Sequence, residues 1–193
     1  MFILSVVHLN PHGSNRQNVI DHAKRSKHFM KTRPRIKLRL TITDKIFEII
    51  GWGALVTSWG MIIICYPKLP DIIPTHYNLI GHIDGFGEKD NILILPVIAT
   101  IFFIGMTLLN KFPHIFNYPT SITENNALRQ YTIATRLIRY LKFAFVLLFG
   151  LIAFTSIQNA NGQNGLSGLF FPLTIGFIFL PLVYFMRKLY KEK

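Results

Sequence analysis

Long apolar runs separated by shorter polar segments fill the sequence from residue 46 onward. Each run approaches the roughly 20 residues that an α-helix needs to cross about 30 Å of hydrocarbon. The apolar residues form continuous runs rather than amphipathic periods, which favours lipid over a soluble core as their surroundings. The pattern predicts membrane-spanning helices at residues 46–66, 91–109, 139–157 and 169–190. The predicted fold class is therefore all-α, a polytopic membrane protein with four transmembrane helices.

A long polar interruption, the segment Leu69–Lys89, LPDIIPTHYNLIGHIDGFGEK, separates the first two runs. Pro70 and Pro74 stiffen its first half, because proline fixes its own φ and biases the preceding residue toward extended conformations. Three glycines punctuate its second half, where the backbone can take positive φ or let another group approach closely. These features predict an ordered cap on the helices rather than a slack tether.

The first 29 residues do not resemble part of a folded domain. Their apolar start, MFILSVVHL, is too short to span a bilayer and lacks the positive region that precedes a signal-peptide core. The polar stretch that follows has no sustained periodicity, which is typical of disorder. We expect residues 1–29 to be a disordered tail or an untranslated extension upstream of a start at Met30. Residues 30–193 are expected to form a single four-helix membrane domain, and the intact mass of the natural protein distinguishes a start at Met30 from one at Met1.

The distribution of charged residues predicts how the helices are oriented across the membrane. The chain has 21 Lys and Arg against 9 Asp and Glu, with half of its residues hydrophobic. The basic residues concentrate before the first predicted helix, between the second and third, and in the C-terminal tail. The positive-inside rule then places both termini in the cytoplasm and the segment Leu69–Lys89 outside the inner membrane. Nucleic acid is the competing partner for such a charge, but no zinc, helix-turn-helix or aromatic RNA-binding motif accompanies it, so no nucleic-acid partner is predicted.

Charged residues also flank the start of the first helix. Asp44 and Glu48 fall near its N-terminus, where acidic residues complement the helix dipole. Four basic residues alternate with mostly apolar ones just before it: Arg33, Arg35, Lys37 and Arg39. An alternating basic strand is one interpretation of this pattern. A juxtamembrane segment that lies on acidic lipid headgroups is the simpler one.

The connector before the third predicted helix carries a helix-start signal. Ser121 and Glu124 fit a capping box, in which both side chains bind free backbone N–H groups. The following residues run into the third helix without glycine or proline, so one continuous helix is expected. Its first turns, with Arg129, Arg136 and Arg139, are expected at the membrane interface.

The segment Leu69–Lys89, which we call the outer segment, contains residue types that bind metals, but their spacing gives little support to a metal site. His76 and His82 lie six residues apart, so they do not form the i, i+4 pair that places two ligands on one helix face. His76, His82 and Asp84 are weak candidates for a metal, and solvated or backbone-bonded side chains are the stronger expectation. Cys65, the single cysteine, excludes an intramolecular disulfide and a multi-thiolate zinc site. It is expected to serve as a small buried hydrophobe.

Turn stabilisation suits the polar side chains of this segment better than catalysis does. Asp71, Asn78 and Asp84 can each bond backbone N–H groups, and Lys89 can pair with Asp84 across the glycine turn. A carboxylate acting as a general base would need a partner nucleophile or metal, and none is identifiable. The sequence therefore predicts no catalytic residue and no cofactor.

The outer segment resembles a known signature. It is similar to LPxxIPxHxNxxGxxDxxGxK, the signature of the family catalogued as domain of unknown function 1648, which also forms the amino-terminal part of the immunity protein against the bacterial sporulation-delaying toxin. The resemblance is carried by fixed residue types at matched spacing: Leu69, Pro70, Ile73, Pro74, His76, Asn78, Gly81, Asp84, Gly87 and Lys89. The connector Phe116–Tyr131 also resembles that of small bacterial members.

The resemblance implies a small, non-enzymatic inner-membrane protein of the bacterial type. The expected function is immunity against a peptide toxin, or envelope-stress sensing through the outer segment, with the lipid bilayer and a peptide toxin or another membrane protein as partners. The alternative is a metal- or proton-dependent membrane enzyme or transporter that uses His76 and Asp84. That alternative is disfavoured because proton and ion relays use charged residues deep within the membrane, and no charged residue is expected deep in a span.

Overall fold

The computed structural model describes residues 18–21, 24, 33–78, 80–163 and 170–191. Four long helices and one β-hairpin organise these residues. In chain order they are α1 (Ile42–Cys65), β1 (Ile72–Tyr77), β2 (Ile83–Glu88), α2 (Ile94–Leu109), α3 (Glu124–Ala160) and α4 (Phe170–Lys191). All four helices are long and apolar enough to cross a membrane. The predicted all-α polytopic membrane fold is therefore confirmed, with a small two-stranded sheet added to it.

The predicted N-terminal tail lies almost entirely outside the described residues, so the expected start at Met30 stays a prediction. The first helix begins at Ile42, four residues earlier than predicted. Thr41 and Asp44 form a capping box there: the Thr41 N–H donates to the Asp44 carboxylate at 2.9 Å, and the Asp44 N–H donates to the Thr41 hydroxyl at 3.3 Å. Asp44 thus lies in the first turn as predicted, whereas Glu48 lies beyond it.

Helix α3 is the centre of the bundle. It packs against α1, α2, α4 and β1, and its 37 residues extend over about 55 Å. The predicted continuity of the connector with the third span is confirmed, because one helix runs from Glu124 to Ala160.

The predicted capping box of Ser121 with Glu124 is wrong. The helix begins at Glu124 itself, so Thr123 is the N-cap residue, and its N–H donates to the Asn126 side chain at 2.9 Å. The Asn126 amide also donates to the Ser121 carbonyl at 3.0 Å. The Asn126 side chain therefore binds both groups, and the N-cap moves two residues, from Ser121 to Thr123.

Three apolar clusters fill the bundle along its length. The outer core, beneath the hairpin, contains Ile62, Leu69, Ile73, Ile92, Ala153 and Ile157. The middle core contains Leu55, Ala99, Phe103 and Val146. The inner core, at the opposite end, contains Tyr118, Ala127, Tyr131, Ile133, Ala134 and Leu189. Cys65 is half-buried and packs against the outer core, in keeping with its predicted role as a hydrophobe.

The segment from Arg33 to Thr41 has no regular secondary structure and is not paired with a strand in the described part of the chain. One guanidinium nitrogen of Arg33 donates to the Phe116 carbonyl at 2.6 Å, and the Tyr131 hydroxyl donates to the Pro34 carbonyl at 3.1 Å. The alternative of a basic β-strand is therefore wrong. Instead of a neighbouring strand, backbone carbonyls of the connector bind the Arg33 side chain, and the Tyr131 hydroxyl of α3 binds the Pro34 carbonyl.

Candidate functional site

The outer segment folds into an antiparallel β-hairpin, which the sequence had predicted only as an ordered cap. Asn78 closes its turn: the side-chain oxygen accepts hydrogen bonds from the N–H groups of Ile80 at 3.1 Å and His82 at 3.0 Å. Gly81 has a φ of 83°, which a residue with a side chain adopts only under strain. Two residues of the signature, Asn78 and Gly81, are thus explained by the geometry of the turn.

The base of the hairpin is equally close-packed. Gly87 pairs with Ile73 across the strands. A Cβ atom on Gly87 would lie 2.7 Å from the Asn91 side-chain nitrogen and 3.1 Å from the Thr75 methyl group. A side chain at this position would therefore push the hairpin away from the turn that leads into α2.

One face of β1 seats the hairpin on the helices. Ile73 is 1 % exposed and Pro74 is also buried, whereas Pro70 is exposed. Further along the strand, the Tyr77 hydroxyl lies 3.3 Å from the Ser156 hydroxyl and accepts a hydrogen bond from the Asn159 amide at 3.1 Å. These contacts attach the hairpin to the end of α3, so it forms a cap over that end of the bundle.

The charged side chains of the hairpin pair differently from the prediction. The Lys89 ammonium donates to Asp71 at 2.9 Å, while the His76 ring nitrogen Nδ1 contacts the Asp84 carboxylate directly. The predicted pair of Lys89 with Asp84 is therefore wrong. Strand pairing is the cause, because it brings Asp84 to His76 and holds the Lys89 N–H 2.9 Å from the Asp71 carbonyl.

Two of the three metal candidates come together and the third does not. The side chains of His76 and Asp84 are 72 % and 42 % exposed, and His82 lies outside their pair. Among the described residues, no group of three His, Cys, Asp or Glu is placed to hold a metal ion. The pair offers one imidazole nitrogen and one carboxylate at the surface of the hairpin.

A cavity of about 280 Å³ lies between the hairpin and the helices, and we call it the outer cavity. Its wall is formed by His76, Tyr77, Leu95, Ile152, Thr155 and Phe170, among others. A second hollow of about 370 Å³ adjoins it and shares Thr75, Leu95 and Ile152. Leu95 belongs to α2, Ile152 to α3 and Phe170 to α4, so any occupant contacts the hairpin and three helices at once.

The chemistry of the outer cavity suits an apolar group that carries a polar edge. The helices supply aliphatic and aromatic surface, and the hairpin contributes His76 and Tyr77 to the wall. Ligand sites in proteins typically combine a mainly apolar wall with a few orienting polar groups.

A buried ionic cluster at the other end of the bundle was missed by sequence reasoning. Lys142 of α3 has no exposed side-chain surface, and its ammonium donates to Glu48 at 2.5 Å and to the Thr107 hydroxyl at 2.9 Å. The same ammonium lies 4.4 Å from the centre of the Phe103 ring. Lys142 therefore joins α1, α2 and α3 at one point.

Two arginines complete this buried ionic cluster. Arg139 lies 3.2 Å from Glu48 and 3.5 Å from Asp44, and Arg136 lies 3.2 Å from Asp44. Glu48 is six residues beyond the first residue of α1, which is about 9 Å along the helix axis. The expectation that no charged residue lies deep in a span did not anticipate these groups, since Lys142 lies at the middle of α3 and has no exposed side-chain surface.

The sequence did contain a signal for this cluster. Asp44 and Glu48 are four residues apart, and Arg139 and Lys142 are three apart, so each pair lies on one face of its helix. Two acidic residues on one predicted span and two basic residues on another complement each other in sign. The acidic pair was interpreted through the helix dipole and Arg139 through the membrane interface, so the pairing between the two helices was not predicted.

Comparison with known proteins adds a family and a relative. Residues 53–100 match the family described as Domain of unknown function (DUF1648), a range that covers most of α1, the hairpin and the start of α2. An uncharacterized protein from Archaeoglobus fulgidus is 30% identical over 161 residues, which cover 76% of this chain and 87% of that protein. No solved structure matches the chain.

Proposed function

Because this chain belongs to the DUF1648 family and is a multi-pass membrane protein, we propose that it acts at the cytoplasmic membrane as a non-enzymatic receptor for a membrane-active peptide. Its function in this proposal is toxin immunity of the sporulation-delaying type, or envelope-stress sensing through the hairpin. The observation that carries the proposal is the outer cavity, which the hairpin closes against three helices.

The proposed orientation rests on the charges at the two ends of the bundle. The end opposite the hairpin carries exposed basic residues next to every helix terminus: Arg35, Lys37, Arg39, Lys45, Lys111, Arg129, Arg187 and Lys191. At the hairpin end, the described residues include only Lys68 and Lys89. The positive-inside rule supports a cytoplasmic location for both termini and an external hairpin. A peptide that arrives from outside would meet the outer cavity first.

Cysteine labelling tests this orientation. In a Cys65→Ser background, Ile80→Cys places a thiol on the hairpin, and Leu128→Cys places one at the opposite end; the replaced side chains are 61% and 57% exposed. A membrane-impermeant maleimide should label Ile80→Cys in intact cells and Leu128→Cys only after permeabilisation. The reverse pattern would overturn the external hairpin and with it the proposed encounter.

A protection assay tests the function. The chain is expressed in a sensitive bacterial host that is challenged with a panel of membrane-active peptide toxins. Ile152→Trp fills the outer cavity and should abolish protection, while Ile63→Trp, on an outward face that is 64 % exposed, should retain it. If the host that expresses the wild-type chain is as sensitive to every peptide as the host without it, immunity is contradicted. Stress sensing then requires a transcriptional response to those peptides that Ile152→Trp abolishes.

A second candidate function is a metal- or proton-dependent membrane enzyme or transporter. It is favoured by the direct contact of His76 with Asp84 and by the buried ionic cluster, since ionisable groups within a membrane often line ion pathways. Metal content of the purified protein separates the two candidates. Stoichiometric metal that is lost in His76→Ala and retained in His82→Ala would favour the second candidate over peptide recognition.

A further inference from the structure

Three cations form a row on the segment that leads into α1, and we call Arg35, Lys37 and Arg39 the basic ridge. All three are exposed, whereas the intervening Ile36 and Leu38 are half-buried. Exposed and half-buried residues alternate from Arg35 to Arg39, as they do where successive side chains point to opposite sides of the backbone. The alternation of burial therefore places the three charges together on the outer side.

The basic ridge is fixed in its register by contacts on the opposite side of the segment. Ile36 and Leu38 pack against the inner core. The hydroxyl of Tyr131 holds the Pro34 carbonyl at 3.1 Å, and Arg33 is held by the Phe116 carbonyl at 2.6 Å. A ligand that binds pre-positioned charges pays less conformational entropy than one that must order a loose tail.

No carboxylate among the described residues neutralises the ridge. Asp44 and Glu48, the acidic residues that follow it in the chain, are already engaged in the buried ionic cluster. That cluster holds three cations against these two carboxylates, so it adds positive charge instead of removing it. Its outermost member, Arg136, is 37 % exposed and donates to the Thr41 hydroxyl at 3.3 Å, so this charge borders the end of the ridge.

We propose that the basic ridge is a binding site for the phosphate groups of anionic lipid headgroups. Its last residue lies two positions before Thr41, the N-cap of the membrane helix α1, so the ridge stands at the depth where headgroups begin. A basic side chain at an anionic membrane surface contributes roughly fivefold in affinity, which makes three side chains worth roughly a hundredfold. The ridge anchors the inner end of α1 to anionic lipid, whichever ligand the outer cavity takes.

Lipid binding to the purified full chain tests the proposal. Phosphatidylglycerol and phosphatidylcholine with matched acyl chains are titrated into the detergent-solubilised protein, and bound lipids are counted by native mass spectrometry. The variant R35Q/K37Q/R39Q should lose phosphatidylglycerol affinity roughly a hundredfold. The matched control R187Q/K188Q/K191Q removes three charges from the last turns of α4 and should lose less than tenfold. Equal losses in the two variants, or equal binding of the two lipids, would overturn the proposal.

A second variant tests the fixed register rather than the charge. I36S/L38S keeps all three cations and removes their apolar anchors, so phosphatidylglycerol affinity should fall at least fivefold. If the double variant is not monodisperse, Tyr131→Phe is used instead. It removes a single hydrogen bond to the segment, so a smaller loss of phosphatidylglycerol affinity is expected. Unchanged affinity in the variant used would contradict a pre-positioned ridge. Displacement of the lipid by excess inorganic phosphate would show a site for free anions and overturn the assignment to lipid.

Discussion

Lys142 of α3 donates a 2.5 Å hydrogen bond to Glu48 of α1, with its side chain wholly shielded from solvent by the helices around it. A buried charge is tolerated only when it is paired and its donors are satisfied. Lys142 meets this condition through Glu48, the Thr107 hydroxyl and the face of the Phe103 ring. The pair therefore fixes where α1, α2 and α3 meet at the inner end of the bundle.

Removing one partner of this pair should destabilise the bundle strongly. Glu48→Ala leaves the Lys142 ammonium buried without its carboxylate, and we expect a loss of about 3–5 kcal/mol in the free energy of unfolding. Reversible unfolding in detergent measures it. The control Glu88→Ala removes an exposed acidic residue at the end of β2 and should change the free energy by less than about 0.5 kcal/mol. The double variant E48L/K142M should recover most of the loss, and a double variant as unstable as Glu48→Ala would contradict this explanation.

The contact between α1 and α2 requires a residue without a side chain at Gly51. A Cβ atom on Gly51 would lie 2.8 Å from an edge carbon of the Phe103 ring, whereas one on Gly53 would have no neighbour within 4 Å. We expect Gly51→Ala to cost about 1–3 kcal/mol through overpacking. Gly53→Ala should be neutral or stabilise by up to about 1 kcal/mol, because alanine favours helix over glycine. Thermal unfolding of both variants in the same detergent checks the difference, and equal effects would refute a close approach at Gly51.

The hairpin turn depends on the Asn78 side chain, which binds two backbone N–H groups. Each lost hydrogen bond is worth roughly 0.5–1.5 kcal/mol, so Asn78→Ala should raise amide hydrogen exchange across β1 and β2 by roughly fivefold to a hundredfold. Exchange in α2 and α3 should stay as in the wild type. His82→Ala is the control, since its exposed side chain has no hydrogen bond within the described part of the chain. Unchanged hydrogen exchange of the hairpin in Asn78→Ala would show that strand pairing alone closes the turn.

Acid should loosen the attachment of the basic segment to the connector. Burial, followed by the positive charges of Arg35 and Arg33, lowers the pKa of His114 below its ordinary value of 6.5. The folded state thus favours the neutral ring, and unfolding or undocking favours protonation. Stability is therefore unaffected well above pH 6.5, falls as the pH drops through that value, and levels off below the folded-state pKa.

Reversible unfolding in detergent at several pH values measures this effect. The wild type should lose stability between neutral and mildly acidic pH, and His114→Gln should show a profile without that step. A step of the same size in His114→Gln would assign the effect to another group.

The long elements follow from local pattern alone. The apolar stretch Lys89–Leu109, which ends in α2, has 21 residues and is long enough to define a membrane span whatever its neighbours are. The charge asymmetry of the polar segments likewise needs no contact information. Helix boundaries were less predictable, because capping depends on a single side chain: Asp44 moved the start of α1, and Asn126 displaced the predicted cap of α3.

The candidate site was only partly predictable for the same reason. The signature pointed to Asn78, Gly81 and Gly87, whose roles are local to the hairpin. It did not reveal the outer cavity, whose wall brings together residues as distant in sequence as His76 and Phe170. Nor did it give the partners of the hairpin charges, since strand register decides which side chains face each other.

By itself, the sequence determined that the chain crosses a membrane four times and carries an ordered cap, because hydrocarbon thickness and turn chemistry act on consecutive residues. The tertiary structure alone decided that Lys142 meets Glu48, that His76 meets Asp84, and that the cap closes over a cavity. Each of these contacts joins different helices or strands. Its geometry is set by how those elements pack, and local sequence does not encode such packing.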